Sequence, residues 1–207
     1  LPLPVDGGVP PGVAHFFVGP EALDYEGEAT EGGEVGKAHM TGRIVSSAHL
    51  VSEQAAELSE YEYGLIVASN AFDRWSSRCM AASGSGDMSP LEVLVLHTLN
   101  HRDREKRLAD ICFTLNVEDT HTVNYAIKKL LNADLIKREK RGKEQFYSVS
   151  ETGREACAEY RKVRESCLVA TLGALGNVHA EEISAAARVL RALSGLYDQA
   201  ARSATSL

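Results

Sequence analysis

The sequence predicts a mainly α fold in which three short helices and a β-hairpin are flanked by long helices. Three observations predict it. Apolar residues recur at spacings of three and four on both sides of the chain centre, the pattern of amphipathic helices. Ser89-Pro90-Leu91-Glu92 and Thr152-Gly153-Arg154-Glu155 have the form of capping boxes, each marking a helix start. Between 135 and 150 the period changes, and Ile, Phe, Tyr and Val gather around a glycine tip.

Residues 1–45 are expected to form an acidic arm. Five of the six prolines lie in the first twenty residues, and nine of the seventeen glycines in the first forty-two. Such a composition builds no core of its own. The apolar patch Val13-Ala14-His15-Phe16-Phe17-Val18 is the part of the arm suited to dock on the body or on a partner subunit.

Residues 46–86 hold a long helix, expected over about 47–82. Leu58, Tyr61, Leu65, Ala68, Phe72, Trp75 and Cys79 follow one another at 3, 4, 3, 4, 3, 4, which places them on a single stripe that must be covered. Gly84-Ser85-Gly86 ends this helix.

Residues 87–150 carry the three short helices and the hairpin. The first opens at the Ser89 capping box, runs to about Leu99, and buries Leu91, Val95 and Leu99 or their neighbours. A charged connector, His101-Arg102-Asp103-Arg104-Glu105, leads to a second helix ending near Leu115, and Asn116-Val117-Glu118 makes a tight turn. Asp119 suits the N-cap of a third helix ending about Asn132. Strands over Leu135–Lys140 and Gln145–Ser150 then flank the tip Arg141-Gly142-Lys143-Glu144.

Residues 151–207 are expected to hold two further helices, one from the second capping box to about Leu172 and one over about 179–201. Gly173 and Gly176 separate them, and Ile183, Ala187, Leu190, Leu193 and Tyr197 form the stripe of the last.

Three short helices followed by a hairpin constitute a winged helix-turn-helix. On its third helix Val123, Ile127, Leu130 and Leu131 share the face that packs inward. His121, Asn124, Tyr125 and Lys128 share the opposite face, with Thr120 near its N-terminal end. Amides and a lysine can bond base edges, while hydroxyls and a helix N-terminus hold phosphates. Taken alone, that face is equally an ordinary solvated surface. The hairpin decides between the two. Lys137, Arg138, Lys140, Arg141 and Lys143 crowd one short ribbon against Glu139. Five cations so placed repel one another unless an anion is near, and a phosphate backbone supplies one.

The chain as a whole is acidic, with a formal net charge of −7. That total hides a segregation. Residues 1–60 hold ten acidic residues against Lys37 and Arg43, whereas 88–150 hold eleven Lys and Arg against nine Asp and Glu. A negative total therefore does not exclude a nucleic-acid partner.

At these residues the sequence resembles the MarR family of bacterial winged-helix regulators. The matching residues are Leu108-Ala109, Thr122-Val123, and Leu130-Leu131 with Leu135-Ile136 and Arg138 beyond them. The exit from the hairpin, Tyr147-Ser148-Val149-Ser150-Glu151-Thr152-Gly153, places Val149 and Ser150 where the family has Leu and Thr. The resemblance covers about residues 50–200. It implies a homodimer on double-stranded DNA with a pseudo-palindromic operator. The dimer would interlock through Leu58, Tyr61, Leu65 and Phe72 of the first helix and Ile183, Leu190, Leu193 and Tyr197 of the last. It also implies a small-molecule or oxidative releasing signal, felt in a crevice between dimer and DNA lobes that Trp75, Phe72, Tyr61 and Cys112 could border, although core packing is the readier role for each of them. One departure stands out: the family's wing Asp-x-Arg would fall on Arg141 and Lys143, whereas Glu139-x-Arg141 is displaced by two residues. Either the wing is longer or the acidic orienting role is lost. Arg141 is kept as a minor-groove or phosphate contact.

Other classes find less support. No G-x-S-x-G, S-x-x-K, H-E-x-x-H, P-loop or G-x-G-x-x-G motif is present, so neither an enzyme nor a cofactor is expected. Cys79, Cys112, Cys157 and Cys167 form no C-x-x-C pair and are expected to be small buried hydrophobes, with Cys112 the candidate thiol sensor. His97 and His101 have zinc-ligand spacing without a clear third ligand, so no metal is expected. No apolar run approaches the roughly 18 residues of a membrane span, and no signal peptide is evident, which favours a cytoplasmic protein. The absent initial Met suggests a processed or trimmed chain. A winged-helix protein-interaction scaffold without DNA binding is the alternative, motivated by the acidic arm and net charge.

Overall fold

The structure is a computed structural model and describes residues 55–176 and 180–207. The arm expected over 1–45, its apolar patch, and the start of the first helix near 47 lie outside them. The described elements are α1 (Ala56–Ala82), α2 (Pro90–Asn100), α3 (Leu108–Leu115), α4 (Thr120–Asn132), β1 (Ile136–Arg141), β2 (Glu144–Val149), α5 (Glu151–Cys167) and α6 (Ala180–Ala204). Short 3₁₀ turns follow α2 at His101–Asp103 and α5 at Val169–Leu175. No described helix is long and apolar enough to cross a membrane.

The first capping box forms as the sequence predicts. Ser89 Oγ accepts the Glu92 N–H, and Glu92 returns a carboxylate oxygen to the Ser89 N–H, both at 3.3 Å. The helix it opens is apolar nearly all round because it is surrounded. α1, α3, α4, α5 and β2 all pack against α2, and Val93, Val95, Leu96 and Leu99 are fully buried. Leu91, expected inside, is only half-buried at the helix start. Met80 of α1, Ile111 of α3, and Val123, Ile127 and Leu130 of α4 complete this core. Each such side chain contributes about 1.5–3 kcal/mol by leaving water.

Glycines and one asparagine shape the joints. Gly84 and Gly86 have φ of 82° and 81° after α1, and Asn116 takes the left-handed conformation that ends α3 at φ 52°. The hairpin is tighter than expected. Its strands extend one residue further, so that Arg141 pairs with Glu144 and only Gly142 and Lys143 make the turn. A third segment joins the sheet: Lys106 and Tyr147 exchange backbone hydrogen bonds of 2.9 Å. The charged connector after α2 therefore runs beside β2.

The second capping box does not form. Ser150, two residues earlier than expected, caps α5 by accepting the Gly153 N–H at 3.0 Å. Its hydroxyl is fixed because it donates to the Asp134 carbonyl at 2.7 Å, and the Ser150 N–H donates to Leu135 O at 3.0 Å. Gly153 then lies against the Leu135 carbonyl, where a Cβ would overlap the oxygen and crowd Val149 Cγ2. α5 also stops short of Leu172. Its buried face is Gly153, Ala156, Cys157 and Tyr160, with Val163 partly buried, and after Cys167 the chain continues into the 3₁₀ turn. Cys167 is accordingly exposed rather than buried; the other three cysteines are buried as expected.

The last helix, α6, has no buried residue, and Ile183, Val189, Leu190 and Leu196 are all more than 40% exposed. It touches the rest through Tyr197, whose hydroxyl donates to Glu62 at 3.2 Å, and through Asp198, which accepts from Asn116 at 3.3 Å.

Gly153→Ala is expected to destabilise the protein by roughly 1–3 kcal/mol, since the methyl group must displace backbone. Urea denaturation followed by circular dichroism measures it, with native helix content retained below the transition.

Candidate nucleic-acid interface

Asp119 caps α4, accepting the His121 N–H at 2.8 Å and the Thr122 hydroxyl at 2.6 Å. The Thr122 hydroxyl first, and the His121 amide second, hold its carboxyl below the ordinary range. The cap fixes where the helix begins and so which side chains face out. Thr120, His121, Tyr125 and Lys128 are exposed, while Asn124 is half-buried. Thr120 and Asn124 line a groove with Arg107, Leu108, Gln145 and Tyr147, between the starts of α3 and α4 and strand β2. Lys128 lines a second groove with Ile136, Lys137 and Arg138. The structure thus brings the far end of the α4 face next to the base of the hairpin.

Tyr125 is 61% exposed on a polar helix face, a costly placement for an aromatic ring. Lys129 backs it, with Nζ 5.3 Å from the ring centroid. The same ammonium pairs with Glu92 at 3.0 Å, whose side chain is 6% exposed, and that hydrogen bond raises the Lys129 pKa. Lys129 lies off the outward stripe of α4, so the spacing of that stripe does not point to it.

The hairpin cations divide into two groups. Among the described residues, Lys128, Lys137, Arg138, Lys140 and Lys143 make no ion pair. Arg141 is bound instead to Glu139 and Glu105, at 2.7 Å from each. Those bonds raise its pKa further and depress that of Glu139, where the Arg141 bond is the main cause. The displaced Glu139-x-Arg141 pair therefore does orient the arginine: the two side chains share one face of β1. On β2, Glu144 pairs with Arg107 at 3.0 Å. Arg107 is held also by Asp110, which lies below its ordinary range for that reason. The sequence places Glu105 in the charged connector and Glu144 in the hairpin tip, but neither their partners nor the role of the segment Glu105-Lys106-Arg107 is visible there. Its alternation, with Lys106 facing away from its two neighbours, was the available signal.

Residues 88–153 match a family model described as a winged helix DNA-binding domain. These residues are a winged helix. β1 and β2 are its wing and α4 its recognition helix. Solved structures resemble the chain well beyond that module. AbfR of Staphylococcus epidermidis is 17% identical with a TM-score of 0.57, covering 71% of this chain and 95% of its own. MarR of Staphylococcus aureus, solved with salicylate and kanamycin, is 14% identical with a TM-score of 0.55, covering 71% and 95%. A MarR mutant from E. coli, solved with operator DNA, is 14% identical with a TM-score of 0.55, covering 69% and 99%. By sequence, no curated protein matches the chain. The winged helix and its flanking helices therefore have the MarR fold.

Beyond the winged helix, a cleft between α3 and α6 is lined by Cys112, Phe113, Asn116, Asp198, Ala201 and Arg202. Tyr61, Phe72 and Trp75 lie along α1 and do not line this cleft. Cys112 is buried, and burial pushes its thiol above the ordinary value. A low thiolate fraction disfavours oxidation chemistry. His97 and His101 gain no third metal ligand among the described residues. The His97 ring stands edge-on to Tyr160 at 4.5 Å, its buried Nε2 has no hydrogen-bond partner among the described residues, and burial lowers its pKa.

Cys79, Cys112 and Cys157 are expected to resist a thiol reagent in the native protein and to react in denaturant; burial raises Cys157 to about 11. Rapid native labelling of Cys112, read by mass spectrometry of peptides, would contradict this.

Proposed function

We propose that the chain is a sequence-specific DNA-binding transcription regulator of the MarR type, acting as a cytoplasmic homodimer on a pseudo-palindromic operator. The observation that carries it is the continuity of two surfaces. The outward face of α4 (Thr120, His121, Tyr125, Lys128, with Asn124 at the groove) leads into Lys137, Arg138, Lys140 and Lys143, which have no carboxylate partner among the described residues. In the major groove, Asn124 and Lys128 suit base edges and Tyr125 a thymine methyl, while the wing lysines suit phosphates. The AbfR and MarR likenesses support the assignment through their shared fold.

The dimer follows from coverage. Leu58, Phe72, Ile183 and Leu190 are exposed, and Tyr61, Leu65, Leu193 and Tyr197 only half-buried. Two copies interlocking α1 and α6 would remove these stripes from water and set two recognition helices on one DNA face, about 10 bp apart. The releasing signal is a small molecule or thiol oxidation, for which the exposed Cys167 is more accessible than the buried Cys112.

Anisotropy with DNA from upstream of the chain's own gene is expected to show binding at low salt. Lys140→Ala and Lys143→Ala should each make the fall of log affinity with log salt shallower by about 1, while Lys128→Ala should weaken binding unequally between DNA sequences. No binding at low salt would discard the proposal and favour the protein-interaction scaffold.

Light scattering is expected to give twice the chain mass, and Leu190→Asp with Leu196→Asp to give a monomer. A monomeric parent protein would remove the dimer.

A further inference from the structure

We infer that Glu105, in the connector between α2 and α3, holds the wing arginine in a latch that DNA must open. The inference rests on the DNA-binding function proposed above. Arg141 closes the wing turn, and its guanidinium has five N–H donors. Nε and Nη2 donate to Glu139 at 2.8 and 2.7 Å, while Nη1 and Nη2 donate to Glu105 at 2.7 and 3.0 Å, so one N–H is left over. One face of the guanidinium covers Phe146, with Cζ 5.1 Å from the ring centroid. A phosphate or a base edge is best held by paired donors. For Arg141 to make such a contact, a carboxylate has to leave.

Glu105 is the one placed to go. Glu139 lies two residues away on the same strand and travels with the wing, whereas Glu105 belongs to another element. Two carboxylates around one guanidinium give that three-group cluster a net negative charge, although Lys140 and Lys143 stand beside it. Approaching phosphates repel Glu105 and attract Arg141, so the ligand itself shifts the exchange. The pair is also soft: the Glu105 and Arg141 side chains are 38% and 49% exposed, and exposed pairs are readily replaced by water. Release does not undock the wing, because Lys106 and Tyr147 keep their two backbone bonds and Arg107 keeps Glu144.

Four proteins test the latch by DNA anisotropy: the parent chain, Glu105→Gln, Arg141→Ala and the double variant, each checked for an unchanged melting curve. Glu105→Gln is expected to bind about fivefold tighter than the parent. In the Arg141→Ala background the same change should give no gain, since nothing remains to release. A gain that persists there reports only a lost negative charge and overturns the latch. An unchanged or weaker Glu105→Gln overturns it too, with the DNA-binding function intact. A parent chain that does not bind at low salt overturns both.

Discussion

The molecule depends on burying α2 on every side, and that is possible only because the polar groups at its start are satisfied locally. The first turn of α2 carries backbone N–H groups that have no partner within the helix. Ser89 and Glu92 satisfy two of them reciprocally. Glu92 is itself a nearly buried carboxylate, and Lys129 of α4 neutralises it. A single residue thus caps one helix, docks another, and positions the ammonium behind Tyr125. Because the recognition helix is anchored at the same point that makes the core possible, its outward face inherits the stability of the core.

Much of this was legible in the sequence, for reasons that differ by element. Helix starts were readable where a local signal sufficed, as at Ser89-Pro90-Leu91-Glu92 and Asp119. The second capping box misled. Thr152-Gly153-Arg154-Glu155 has the right letters, but Ser150 wins because its hydroxyl is already fixed by the Asp134 carbonyl, a contact sixteen residues distant. The same limit applies to Glu105 and Glu144. Their partners, Arg141 and Arg107, are 36 and 37 residues away, beyond any helical or strand period. The outward face of α4 was legible because a helix states its faces in its own spacing.

Charge in this chain is organised by pairing more than by sum. Five wing cations in the sequence do not amount to five in the folded wing, since Arg141 is neutralised twice over. The remaining four are those without a carboxylate partner among the described residues, and they lie along the ribbon rather than at a single point. A formal charge of −7 for the whole chain is compatible with such a ribbon because screening confines each group's influence to about 10 Å.

The joint at Ser150 and Gly153 gives the wing a mechanical character. Its base is clamped: a serine hydroxyl ties the strand exit to the turn before β1, and α5 starts with its third residue pressed on the Leu135 carbonyl. Its far end is held by the hairpin's own ladder and by exposed charges around Arg141. Such a beam flexes toward the tip and not at the root. A load large enough to move the root must carry α5 with it, and α5 lies against α1. The ribbon is therefore geared to the long helices, and force applied at one end of the molecule has a stiff path to the other.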